Sequence, residues 1–129
     1  MKEFKMNVEV TITEEMIENI IVGALEGGSN YWYMLGEGIP PRDEEGTPMS
    51  VRISRKIVED PDFKLPIYDA EDEDGEPIGY LTQEGMLNAF KIVSEKYPWH
   101  YQNMMTECGD ADTDDVFFQC AVLGDIVYG

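Results

Sequence analysis

Basic residues are scarce in this sequence: nine lysines and arginines stand against 27 acids, a formal charge of −18 at neutral pH. A chain so poor in cations is unsuited to binding nucleic-acid phosphates or anionic membranes directly, because both select for Lys and Arg. Cysteine is almost missing too. Cys108 and Cys120 are too few for a disulfide framework and lack metal-site spacing, which points to a reducing cytoplasm. His100 is the lone histidine, so a centre needing several His or Cys ligands cannot be assembled. No apolar run approaches the ~18 residues of a membrane span. No basic-then-apolar leader is expected, and no internal repeat is visible.

What remains is a globular composition, 43% hydrophobic and 11% aromatic over 129 residues, enough for one domain with a core of its own. Phe4, Met6, Val8, Val10 and Ile12 alternate with polar residues, and this period of two predicts a half-buried strand over 4–12. Thr13 reads as a helix N-cap followed by Glu14 and Glu15, with Ile12 and Ile17 at the positions of a hydrophobic staple. Met16, Ile17, Ile20, Ile21, Ala24 and Leu25 form one apolar helical stripe that Gly27 and Gly28 end. Residues 29–35, with Tyr31, Trp32 and Tyr33 in succession, read as a short turn or helix.

The section 36–61 is rich in Gly and Pro and reads as irregular, with 49–58 open to either strand or short helix. Residues 63–69 look extended, and Pro66 within them suggests an edge or a bulge. Asp74-Gly75 signals a hairpin turn, with a return strand over 78–81. Thr82 caps a second helix whose core face is Met86, Leu87, Phe90, Val93 and Tyr97, and Pro98 stops it. Asp112 or Thr113 caps a third. Residues 116–123 are apolar nearly all round except Gln119, so that helix should be central. Gly124 ends it, and 126–128 could add a last short strand. Helices and strands that do not alternate regularly predict an α+β fold, a single domain over 1–129 with a three-stranded antiparallel sheet packed by three helices.

The acids are unevenly placed. Residues 43–76 hold twelve acids and four bases, residues 77–96 two of each, and residues 97–129 six acids and no Lys or Arg. The densest run is Glu71, Asp72, Glu73, Asp74 and Glu76. It does not make an EF-hand: with Gly75 at the sixth position, Ala70 and Leu81 fall where the first and last oxygen ligands belong. Asp112 with Asp115, or Asp110, could pair as catalytic carboxylates, but Asp112, Asp114 and Asp115 stand where N-caps and first-turn acids are expected, and capping accounts for them. His100 with Cys108 meets no nucleophile motif. Gly27-Gly28 and Gly36-x-Gly38 stand in the wrong context for phosphate loops. No catalytic residue, metal site or cofactor is therefore expected.

The stretch Ala24-Leu25-Glu26-Gly27-Gly28-Ser29-Asn30-Tyr31-Trp32 resembles a group of small acidic proteins of bacteriophages and of conjugative elements of gut bacteria. So does the C-terminal stretch from Gly109-Asp110-Ala111-Asp112 through Gly124-Asp125-Ile126-Val127-Tyr128-Gly129. The likeness spans about 30 residues and leaves 36–61 unmatched. No catalytic role carries over from it. It does imply a mobile element whose product acts in the host cytoplasm.

Charge and context together favour an anti-defence protein that inhibits a host nucleic-acid-handling machine, of the CRISPR-effector or restriction-enzyme type, by mimicking nucleic acid. Asp43, Glu44, Glu45, Glu71, Asp72, Glu73, Asp74 and Glu76 would face the basic surface of that host protein, with Tyr31 or Trp32 as an anchor. An alternative is a homo-oligomeric interaction module whose acidity serves solubility, with the C-terminal helix and the aromatic trio as self-interface. A second alternative is a protein that sequesters or hydrolyses a small molecule in a pocket near Asn30, Trp32 and Asp112.

Overall fold

The computed structural model describes residues 1–72 and 74–129, and it is an α+β domain. Helix α1 (Glu14–Gly23) starts where Thr13 Oγ1 accepts the Met16 amide, and the Met16 sulfur accepts the Thr13 amide in return. Its stripe of Ile17, Ile20 and Ile21 is buried. The chain then widens into a π-helical turn over Ala24–Gly28 before it breaks. Strand β1 (Tyr33–Leu35) follows, so the aromatic trio leads into a strand and not a helix.

Helix α2 (Met49–Glu59) resolves the ambiguity over 49–58. Ser50, Ile53, Ser54 and Ile57 face inward, at helical spacing. Strands β2 (Leu65–Asp69) and β3 (Gly79–Leu81) form the expected hairpin, and the antiparallel order is β1-β2-β3. Pro66 therefore sits in the middle strand, against the expectation of an edge. Its carbonyl accepts the Gly36 amide at 2.8 Å, so its nitrogen faces the same side, just past Leu35 where β1 has ended. The bond that its missing N–H would return to Gly36 thus falls just beyond the end of β1.

Helix α3 (Gln83–Lys96) is capped by Thr82, whose hydroxyl accepts the Gly85 amide at 2.9 Å. Its buried face is Met86, Ala89, Phe90 and Val93, whereas Leu87 is 44% exposed and lies off the core. Pro98 stops α3 and also opens α4 (Pro98–Met105), because a proline at the first helical position loses no bond. Helix α5 (Ala111–Leu123) is capped by Asp110, not by Asp112 or Thr113: the Asp110 carboxylate accepts the Thr113 amide at 3.0 Å. As expected, α5 is central. Phe117 and Phe118 are fully buried, one against Phe90 and the other against Trp32 and Tyr33.

The described residues thus form five α-helices, two more than expected. Residues 4–12 are not in the sheet. They are exposed along almost their whole length and join no strand among the described residues. Period-two patterning supplies a face but no hydrogen-bonding neighbour, and the third strand is β1 instead. Residues 126–128 likewise form no strand. Among the described residues no helix is long and apolar enough to cross a membrane.

The end of α4 stores a small strain. Cys108 N donates to Asn103 O at 2.8 Å and Glu107 N to Met104 O at 3.2 Å, a Schellman arrangement that forces Glu107 to φ 59°. A left-handed non-glycine residue costs about 1 kcal/mol. Glu107→Gly should accordingly leave the fold as stable or raise it by up to ~1 kcal/mol in urea denaturation, where glycine elsewhere in a helix would lower it.

Candidate functional site

Asp115 is the structural centre of the chain. It is 8% exposed, one turn inside α5, and each of its oxygens accepts two hydrogen bonds. Oδ1 takes the Ser29 hydroxyl at 2.7 Å and the Trp32 indole N–H at 2.8 Å. Oδ2 takes the Tyr31 hydroxyl at 2.5 Å and the Gln119 amide at 3.0 Å. A buried carboxylate without a cation is tolerable only when such donors replace its water.

Gln119 passes the network on to the chain's last residues. Its Oε1 accepts the amides of Val127 and Tyr128, both at 2.8 Å, and its Nε2 donates to Tyr128 O at 3.0 Å. The side chain bonds residues 127–128 as a neighbouring strand would. The Tyr128 ring stacks on Trp32, with centroids 5.1 Å apart and planes 9° apart, and its hydroxyl donates to Asp69 at 2.9 Å. Asp69 also accepts the Glu71 amide at 2.8 Å, and these bonds hold its carboxyl below the usual range. The base of the acidic hairpin is therefore tied to the buried cluster.

The two stretches 24–32 and 109–129 meet here. Close approach requires glycine at two places, one within the first and one just before it. A Cβ on Gly28 would stand 2.5 Å from the Ala111 carbonyl oxygen, and one on Gly23 would collide with the Asp114 carboxylate. Both glycines let α1 and its π-turn lie against the start of α5.

A cleft of about 540 Å³ opens beside the cluster, lined by Tyr31, His100, Asp112, Gln119, Ile126 and Tyr128 among others. Its chemistry is muted. Both Asp115 oxygens are fully engaged. Desolvation first, and then the bond to Asp115, pushes the Tyr31 phenol up to about 12, so it stays protonated. His100 Nδ1 lies 3.0 Å from Thr113 Oγ1. A second cleft of about 580 Å³ is lined by Glu15, Met16, Met104, Glu107 and Asp114. Burial there, with the charge of Asp110 adding to it, raises Asp114 to about 6. Cys120 is buried, which pushes its thiol up to about 11, and Cys108 is exposed. Among the described residues no group of three His, Cys, Asp or Glu side chains could hold a metal ion.

The residues expected at a partner surface divide. Asp43, Glu44, Glu45, Glu71, Asp72, Asp74 and Glu76 are all exposed. Glu73 lies outside the described residues. Asp43 accepts the Thr47 amide at 2.9 Å, and hydrogen bonds from Thr47 lower its carboxyl. Tyr31 is 54% exposed, with its ring outward and its hydroxyl turned in. Trp32 is 2% exposed and is a core residue, so it cannot serve as a surface anchor. Capping accounts for Asp110 and, through the dipole, for Asp112; it does not account for Asp115. The signal that would have found Asp115 was the pair Asp115 and Gln119, four residues apart on one face of an otherwise apolar helix. Comparison of the chain with protein-family models, with curated proteins and with solved structures gives no match.

Two outcomes test this account. Asp115→Asn turns one acceptor into a donor facing donors and should cost about 3 kcal/mol in urea denaturation, while Asp112→Asn on the exposed first turn should cost less than about 0.5. Equal losses would refute the central place of Asp115. Asp114 has a folded value above its unfolded one, so the folded chain binds the extra proton between about 6 and 3.8. Stability from this group thus rises as pH falls through that window, and the penalty is fully present above it. Asp114→Asn should add roughly 1–2 kcal/mol at pH 7 and flatten the thermal midpoint between about pH 7 and pH 5.

Proposed function

We propose that this chain is a non-catalytic binding protein of a mobile element, which occupies the basic, phosphate-binding surface of a host nucleic-acid-handling protein of the CRISPR-effector or restriction-enzyme type. The observation that carries this reading is how the acids are disposed. Among the described residues only two ion pairs form, Lys56–Asp60 at 3.3 Å and Lys96–Asp125 at 2.7 Å, against 27 acids in the chain. The carboxylates of residues 43–45 and of Glu71, Asp72, Asp74 and Glu76 are exposed and take part in neither pair. Arg52, a base near the first of these groups, is turned to backbone, donating to Pro40 O at 3.2 Å and Thr47 O at 2.6 Å.

Carboxylates left unneutralised on a folded body create a long-range negative potential that steers a basic groove toward it. The buried acid supports the same reading from the other side, since Asp115 is saturated and offers no lone pair to a substrate or metal. The hairpin is the most favourable contact. Its base is held by Asp69 and Tyr128, so its acids project from an anchored loop, and the half-exposed Tyr31 ring belongs to the same cluster.

Competition measures this directly. Duplex DNA bound to a restriction endonuclease or to a CRISPR effector should be displaced by the chain at ~50 mM salt, and at least about tenfold less effectively at ~200 mM. Replacing Glu71, Asp72, Asp74 and Glu76 by their amides takes the charge from −18 to −14 and should weaken displacement further without changing the thermal midpoint by more than a few degrees. Displacement that ignores both salt and these four acids would sink the mimicry.

A further inference from the structure

Residues 4–12 remain unexplained by that surface. Phe4 is 89% exposed, Met6 83%, Val8 68% and Val10 47%. Four large apolar side chains in regular alternation are a strand face, yet no backbone hydrogen bond reaches residues 4–12 among the described residues. The places first suited to a self-interface are taken, because α5 and Trp32 lie in the core. We propose that residues 4–10 pair with the same residues of a second copy of this chain. They would form an antiparallel two-stranded ribbon about a two-fold axis at Asn7.

Charge selects the partner and the register. Within a chain of net charge −18, this segment is neutral, holding Lys5 and Glu9 alone. Antiparallel pairing about Asn7 sets Lys5 opposite Glu9 twice, Met6 opposite Val8 and Phe4 opposite Val10. Every apolar residue then lies on one face and every ion pair on the other. Other arrangements lose this. Parallel pairing stacks Lys5 on Lys5 and Glu9 on Glu9. A slip by one residue sets apolar side chains against polar ones. A slip by two sets Glu3 against Glu9, or leaves Lys5 facing Thr11.

The body has room for the ribbon. A groove of about 300 Å³ runs between Val8, Val10 and Ile12 on one side and Leu87, Phe90 and Tyr101 on the other. Only even-numbered residues of the segment line it, so it lies on the ribbon's apolar face. Phe4 of the second copy, opposite Val10, enters the groove beside Leu87. That position accounts for a leucine left 44% exposed on α3.

Sedimentation of the full chain across about 1–500 µM tests the pairing. A monomer–dimer equilibrium that tightens with salt is expected, because two bodies of −18 repel and screening relieves them. This is the opposite of the salt trend for a basic partner, so the two proposals fail separately. Met6→Asp should abolish the dimer, and its exposed position leaves the thermal midpoint of the monomer unchanged. Lys5→Glu and Glu9→Lys should each weaken the dimer roughly tenfold, and the double exchange should restore it. A chain that stays monomeric throughout overturns the proposal. So does a dimer that survives Met6→Asp. A dimer broken by Met6→Asp but indifferent to Lys5→Glu would seat the segment on the second copy's body and would overturn the paired ribbon.

Discussion

A single carboxylate organises this fold. Asp115 gathers a serine, a tyrosine, a tryptophan and a glutamine around two oxygens; the first three come from residues 29–32, more than 80 residues away, and the last from the next turn of its own helix. A buried ion is costly unless its hydrogen-bonding capacity is met. Once the donors are committed, the positions of the π-turn, of β1 and of residues 124–129 follow. The turn must deliver Ser29 inward, Trp32 must enter the core to reach Oδ1, and Gln119 must hold residues 127–128 like a missing strand. The stacking of Tyr128 on Trp32 closes the ring of dependencies.

The acids consequently fall into kinds that net charge cannot separate. Asp110 works at a helix start. Asp125 is held by Lys96, Tyr97 and its own neighbour's amide, which bring it down to about 2. Asp69 fastens the hairpin to Tyr128, and Asp115 is internal. What is left over among the described residues stands on loops and forms no ion pair. The charge of −18 therefore overstates the surface potential in one respect, because part of it is spent within the fold. It understates it in another, because the remainder is concentrated where the chain turns.

Local signals in the sequence foretold local structure well. Thr13 and Thr82 each cap a helix through a hydroxyl and an amide three residues on, an interaction contained in four residues. The stripe of α1, the hairpin at Asp74-Gly75 and the buried character of α5 were legible for the same reason. What failed depended on partners far away. Residues 4–12 had the pattern of a strand and lacked a neighbour, while Tyr33, Met34 and Leu35 had no pattern and gained Asp69, Tyr68 and Ile67. Pro98 was read as an ending and is equally a beginning. Of the candidate site, the exposed acids were visible in composition. Asp115 was not, because first-turn position explains an acid cheaply and only contacts across more than 80 residues show that this one points inward.

The stacked pair at the centre gives the molecule an optical asymmetry. It has two tryptophans in opposite surroundings, Trp32 at 2% exposure against an aromatic neighbour and Trp99 at 72% in water. Trp32 adjoins β1, residues 124–129 and, through Tyr128 and Asp69, the foot of the acidic hairpin. Its emission is thus a gauge of the interior that Trp99 cannot imitate, and with Trp99 replaced by phenylalanine it would register whether a partner that grips the hairpin also pulls on the centre.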